Sequence, residues 1–257
     1  LVGIHMEGPY LSVEKKGAQD SKYIIHPDVE HFHKMNGLSG GLIKLVSIAP
    51  EEEGSIQFID AVKDEVIISL AHTTADYDTA AKALEHGASH VTHLYNAMLP
   101  FTHRAPGVVG AAFDKKHCYV ELICDGVHIH PSVIRSTFQL FGDDRVVLVS
   151  DSMMATGMED GNYTLGGQAV SVTGNRATLK DGTIAGSATN LMKCMQIATS
   201  FGIPLESAVK AAAVNPAKQL GIDKEYGSIT PGKYANIVLL DKDYEVKHVI
   251  LKGKLID

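Results

Sequence analysis

What this chain has little of narrows its function first. No apolar run approaches the roughly 18 residues that a membrane-spanning helix needs, and no signal-peptide pattern is visible. Cysteine is scarce: three residues without framework spacing, which fits a reducing, cytoplasmic setting rather than a disulfide scaffold. Positive charge is not in excess. The formal net charge of −7 argues against nucleic acid held on a broad basic surface. It also offers an anionic substrate no general attraction, so a phosphate must be gripped by a few local groups. There is no repeat or low-complexity tract.

Apolar residues are plentiful, at 45% of 257, enough for one large α/β domain with or without a small appendage. Histidine is plentiful too, and with 13 in the chain most must be bystanders. Strand-like apolar runs fall near 1–7, 42–48, 66–72, 90–93, 118–124 and 145–151. Amphipathic stretches such as GSIQFIDAVKD and PSVIRSTFQLFG lie between them and suit crossover helices. Near-continuous Val/Ile/Leu runs suit parallel strands covered on both faces. We therefore expect an α/β fold, a (β/α)8 TIM-type barrel, rather than an open doubly wound sheet. The reason is that reactive residues end five different strands, whereas an open sheet draws its site from one switch point. Six strands are visible where a closed barrel needs eight. Because the chain opens with Leu1 directly on a buried-looking strand, the first two strands are expected to precede it. The barrel is expected over 1–220, with a hairpin insertion near 163–185. Residues 221–257 read as part of a small β-domain.

The ionisable residues at strand ends carry the chemistry. Glu7 closes LVGIHME, where Gly8-Pro9 stops the strand. His72 closes VIISLAH, and His93 follows one βα unit later in an equivalent place. Two such histidines with Glu7 offer an open three-ligand site for a divalent cation, with room for water. Zn, Fe, Mn and Co all tolerate these ligands. Asp151 ends the most apolar strand, where a carboxylate is costly unless paired or beside a metal, and reads as a general base. His128, beyond a strand and a turn, can reach over the barrel mouth to substrate. Asp125 braces that turn. Arg104, on the loop after the His93 unit, can pair bidentately with phosphate. His5 reads as barrel-lining, His90 as inert, and Cys118, Cys124 and Cys194 as core. Thr73, Thr74 and Asp76 are candidate helix caps. The Glu51–Glu53 run fits the positive end of a helix dipole and is assigned no chemistry.

The set GIHMEGPY, AHTTA, THLYNAM, CDGVHIH, LVSDSM, GTIAGS and GSITPGKYANIVLLD, in that order along nearly the whole chain, resembles the metal-dependent amidohydrolase superfamily. Within it, the set is most similar to the amino-sugar-phosphate deacetylases. The resemblance implies that Glu7, His72 and His93 bind the catalytic metal, with Zn or Fe ahead of Mn or Co and one or two ions per subunit. Asp151 would shuttle protons, and His128 would contact the sugar and polarise the amide carbonyl. Gln19, Asn96, Ala97, Asp125, Ile184, Ala185 and Gly186 would line the substrate. Arg104 would hold the phosphate, across the interface of a homodimer. The activity implied is hydrolysis of the acetamide of N-acetyl-D-glucosamine 6-phosphate. Two departures stand out. Gln19 sits where some members carry a histidine, and the HxH pair that many members place on their first strand is not in this chain. A cyclic amidohydrolase or nucleobase deaminase on the same barrel, or a non-catalytic scaffold, are the rival readings.

Overall fold

The computed structural model describes residues 1–256. Its largest sheet has six strands: β1 (Ile4–Tyr10), β2 (Ile43–Ile48), β3 (Ile67–Leu70), β4 (His90–Val91), β5 (Tyr119–Ile123) and β6 (Val146–Val149). They pair in strict sequence order, each parallel to the next. A doubly wound sheet reverses its strand order at a switch point. None occurs among these six strands, so every crossover steps the same way and the carboxyl ends gather along one rim. Between the strands run α1 (Val29–Leu38), α2 (Ser55–Val62), α3 (Tyr77–His86), α4 (Gly107–Asp114) and α5 (Pro131–Phe141).

The helices start where the sequence gives a capping acceptor. Asp28 accepts from His31 N, Asp76 from Thr79 N and His130 from Ser132 N, the last with Pro131 at the first helical position. Thr73 and Thr74 do not cap α3. Their hydroxyls, with the Thr74 N–H, bond to the Glu51 carboxylate. Glu51 therefore has a structural task that helix-dipole reasoning did not assign: it ties down the turn that follows His72.

The two faces of the parallel sheet differ in character. Val46, Ile48, Ile68, Leu70, Val120 and Leu122 face the helices and join one core with Phe58, Ile59, Leu84 and Ile134. Alternation at period two sends their neighbours to the other face. There Ser47, Ser69, His90, Thr92 and Glu121 are buried yet polar. Continuous apolar strands were expected, but the inner face carries a hydrogen-bonded polar layer instead, because its side chains satisfy one another.

Beyond β6, β7 (Gly161–Leu165), β8 (Gln168–Thr173), β9 (Arg176–Leu179) and β10 (Ile184–Ser187) make an antiparallel sheet in the order β10-β9-β8-β7. It closes a small core of Met153, Ala155, Val170, Val172, Ala177 and Ala185. Then come α6 (Leu191–Ser200), α7 (Leu205–Val209) and α8 (Asn215–Gln219), with a π-helical turn at Lys210–Val214 between the last two. Pro216 at the start of α8 has no N–H to donate, which fits a widened turn just before it. The final strands β11 (Ile237–Leu240), β12 (Val246–Leu251) and β13 (Lys254–Leu255) form a separate antiparallel sheet. Among the described residues, no helix is long and apolar enough to cross a membrane.

Candidate metal centre and substrate cavity

Each strand of the parallel sheet ends in a tight turn, and several of those turns force a non-glycine residue into left-handed backbone. His72 (φ 46°), His93 (φ 33°) and Asp151 (φ 50°) all adopt it. Such residues are uncommon and cost free energy, so they mark places where the chain must aim a side chain sharply. Here they aim inward. His72 Nε2 lies 2.7 Å from Glu7 Oε1 and 3.0 Å from His93 Nε2, and His93 Nε2 is 3.4 Å from the same Glu7 oxygen. One ligand atom from each residue falls within 4.8 Å of the others. Both imidazoles are buried.

The protonation pattern fits a cation. His72 Nδ1 donates to the carbonyl of Lys15 at 2.7 Å, which leaves the Nε2 lone pair facing the carboxylate and the second imidazole. Glu7 Oε1, His72 Nε2 and His93 Nε2 converge on one spot, a donor set that suits a divalent ion once the ion displaces the His93 proton. The surroundings are anionic. Burial alone would lower the His93 pKa, but the hydrogen bond and charge of Glu7, with Asp151 and Glu121 behind it, raise it to about 9. Burial acts upward on Glu7, yet its bonds to His72 and His93 hold it well below the ordinary carboxylate value. Burial, then repulsion from Glu7, raises Asp151.

A cavity of about 830 Å³ opens over this cluster, and Asp151, His128, Gln19, Asn96, Ala97, Ile184 and Gly186 all belong to its wall. Gln19 donates from Nε2 to the Glu7 carbonyl at 3.2 Å. Asn96 donates its amide to the carbonyls of His93 and Leu94, both at 3.2 Å, and Ala97 O accepts from Thr73 N at 3.0 Å. The two histidine turns are thereby laced together. Gly186 (φ 63°) passes so close that a Cβ there would sit 2.9 Å from the Asp151 carbonyl, so only glycine fits.

Three candidate residues are placed differently from a substrate contact. The Asp125 carboxylate is buried below the wall. One oxygen accepts from Val127 N and His128 N, each at 2.9 Å, and the other from His128 Nδ1 at 2.7 Å. It braces His128 rather than facing the cavity, and this contact leaves His128 Nε2 as the free ring nitrogen. Ala185 is fully buried in the small antiparallel core, because strand alternation turns it away from the side taken by Ile184 and Gly186. Arg104 is exposed on its loop, outside the cavity wall. The cavity wall does contain two cations that sequence reasoning passed over, Lys15 and Lys16. They follow directly on the Glu7 strand turn, and that adjacency was the signal available.

The Amidohydrolase family profile matches residues 1–256. The chain is 44% identical over 257 residues to the N-acetylglucosamine-6-phosphate deacetylase of Bacillus subtilis (strain 168), covering 99% of this chain and 65% of that protein. It is 34% identical to an N-acetylgalactosamine-6-phosphate deacetylase of Escherichia coli O157:H7, covering 99% and 68%. A solved mutant of the Mycobacterium smegmatis N-acetyl-D-glucosamine-6-phosphate deacetylase, in complex with N-acetyl-D-glucosamine-6-phosphate, superposes with a TM-score of 0.94. The identity there is 36%, over 98% of this chain and 68% of that one. The chain thus spans about two thirds of the length of these relatives. With a family match along its whole described length and a His/Glu cluster at the rim of its parallel sheet, the chain belongs to the amidohydrolase family.

Proposed function

We propose that this chain supplies most of the catalytic barrel of an enzyme that hydrolyses the acetamide of N-acetyl-D-glucosamine 6-phosphate to D-glucosamine 6-phosphate and acetate. The observation that carries the reading is the convergence of Glu7, His72 and His93 on one point beneath Asp151 and His128. Glu7, His72 and His93 would hold a divalent cation, Zn or Fe ahead of Mn or Co. When bound, such an ion supplies Lewis acidity and lowers the pKa of water. Asp151 accepts the proton of the attacking water and returns it to the amine as the C–N bond breaks and the C–O bond forms. The upward pull of burial on Asp151 suits a group that must give the proton back. His128 presents Nε2 to the carbonyl oxygen as negative charge builds there, while the Asp125 carboxylate, 2.7 Å from Nδ1, orients the ring and would favour the form of it that donates to that oxygen.

The phosphate reading draws on Lys15 and Lys16 within one chain, to which Arg104 of a second copy in a homodimer would add a bidentate contact. In the complete protein the six-stranded sheet would be part of a (β/α)8 barrel (here residues 1–220). Residues 221–257 would belong to a small β-domain. A cytoplasmic setting suits this chemistry. The E. coli relative supports the galactosamine epimer as a second substrate. Acetate release from the phosphorylated and the unphosphorylated sugar, before and after chelation, tests the reading. Turnover should require both the metal and the phosphate, and activity that survives exhaustive chelation would overturn it.

A further inference from the structure

Glu121 is out of place in a buried strand. It lies on β5 with its side chain 91–93% removed from solvent, and it is absent from the wall of the substrate cavity. Burying a carboxylate costs several kcal/mol unless its hydrogen bonds compensate, and an apolar residue of similar size would pack there more favourably. Its contacts indicate what the charge is kept for. One oxygen accepts from the backbone N–H of His93 at 3.2 Å, and the Glu121 carbonyl accepts from Leu94 N at 2.9 Å. That N–H belongs to the left-handed residue that swings its imidazole toward Glu7 and His72. The turn leaves β4 after Val91, so the His93 N–H has left the strand ladder and needs an acceptor of its own.

The other carboxylate oxygen lies 3.7 Å from His90 Nε2. From there a buried chain of hydrogen bonds crosses the inner face of the sheet. His90 Nδ1 meets Ser69 Oγ at 3.0 Å, Ser69 Oγ meets Thr92 Oγ1 at 2.6 Å, and Thr92 Oγ1 meets Ser47 Oγ at 3.0 Å. Ser47 Oγ ends on His5 Nε2 at 2.8 Å. Glu121, His90, Ser69, Thr92, Ser47 and His5, six polar side chains from β1 to β5 and the turn after β4, thus form one layer on this face of the sheet.

We propose that Glu121 is a positioning residue of the metal centre: its carboxylate accepts the His93 N–H and clamps that turn so that Nε2 meets Glu7 and His72. The inference rests on the reading of Glu7, His72 and His93 as metal ligands. Partners of this kind, one contact behind the ligands, typically change metal affinity 10–100-fold when lost, as an order of magnitude.

The test uses the full chain, stripped of metal, as wild type, Glu121→Gln and Glu121→Met. Each is titrated with Zn2+ against a chromophoric chelator, and thermal unfolding of the metal-free form is recorded in parallel. Met offers the His93 N–H only a weak thioether acceptor, so affinity should fall about 10–100-fold, while metal-free Tm falls only slightly because a buried carboxylate is removed at the same time. Gln keeps an acceptor oxygen but loses the charge, and should fall by roughly a few-fold, between the other two. A folded variant of either kind that binds Zn2+ as tightly as wild type overturns the proposal. So does a loss of affinity matched by an equal collapse of metal-free stability, which would make Glu121 structural only. Wild type that binds no more Zn2+ than a His93→Asn control would instead remove the metal-site reading itself.

Discussion

Replacing Asp125 with Asn separates the orienting role of this carboxylate from its charge. Asp125 makes three contacts: the backbone N–H groups of Val127 and His128 at 2.9 Å on one oxygen, and His128 Nδ1 at 2.7 Å on the other. Burial opposes its ionisation, but the His128 contacts prevail and hold its pKa below the ordinary value. Asn is nearly the same shape, and its carbonyl can keep both backbone bonds. Its amide then faces His128 Nδ1, which must become an acceptor, so the ring presents a neutral Nε2–H to the cavity. Direction is kept and charge support is lost. A hydrogen bond involving an ionised group exceeds a neutral one by about 1–2 kcal/mol. That difference corresponds to a fall of about 5- to 30-fold in kcat. The assay is steady-state acetate release, with metal content and far-UV circular dichroism as controls. KM and metal content should be unchanged. A correctly folded Asp125→Asn protein with wild-type kcat would refute the claim that His128 works as a charge-supported donor.

Three other outcomes follow from the same geometry. Asp151→Asn should lower kcat by about 10²- to 10⁴-fold with metal content retained, and near-normal turnover would remove Asp151 as the base. Gly186→Ala should lower both Tm and kcat, since the new Cβ would meet the Asp151 carbonyl at 2.9 Å in left-handed backbone; kinetics and calorimetry of the variant check this. His90 is buried, and burial together with nearby His5 lowers its pKa from 6.5 to about 3. The unfolded chain therefore binds a proton below pH 6.5 that the folded chain refuses until about pH 3, so this residue costs stability progressively as pH falls through that window. Glu121, raised by burial to about 7, acts in the opposite sense, because the folded state holds its proton between the ordinary value of 4.5 and 7. Denaturant melts of wild type and His90→Gln across pH 7 to 4 should diverge, with wild type losing more on acidification; parallel curves would contradict the buried, neutral state of His90.

Much of this was legible in the sequence, because parallel strands and their crossover helices write themselves as alternating apolar and amphipathic runs. The six strands fell where Val, Ile and Leu clustered. The Glu7, His72 and His93 cluster was legible because each residue lies near the carboxyl end of an apolar run. His72 and His93 follow β3 and β4, whereas β1 continues through Gly8-Pro9 to Tyr10, so Glu7 lies inside its strand rather than closing it as expected. What stayed hidden depends on which way a side chain turns once the backbone has closed. Ala185 sits between two cavity residues yet points into a different core, an outcome fixed by strand register. Glu51 looked like a dipole partner, but the fold carries it beside Thr73 and Thr74, 22 and 23 positions away. His90 read as inert and Glu121 was not singled out, since nothing local tells that their neighbours across the sheet are Ser69 and the His93 backbone. Arg104, expected as a phosphate contact, lies exposed on its loop outside the cavity wall, a placement that its sequence neighbours did not reveal.

The most direct measurement is anomalous diffraction at the absorption edge of the metal that co-purifies with the protein. The account predicts one strong peak within about 2.0–2.3 Å of Glu7 Oε1, His72 Nε2 and His93 Nε2. A metal peak bound elsewhere, with these three side chains hydrogen-bonded only to one another in an active enzyme, would contradict it.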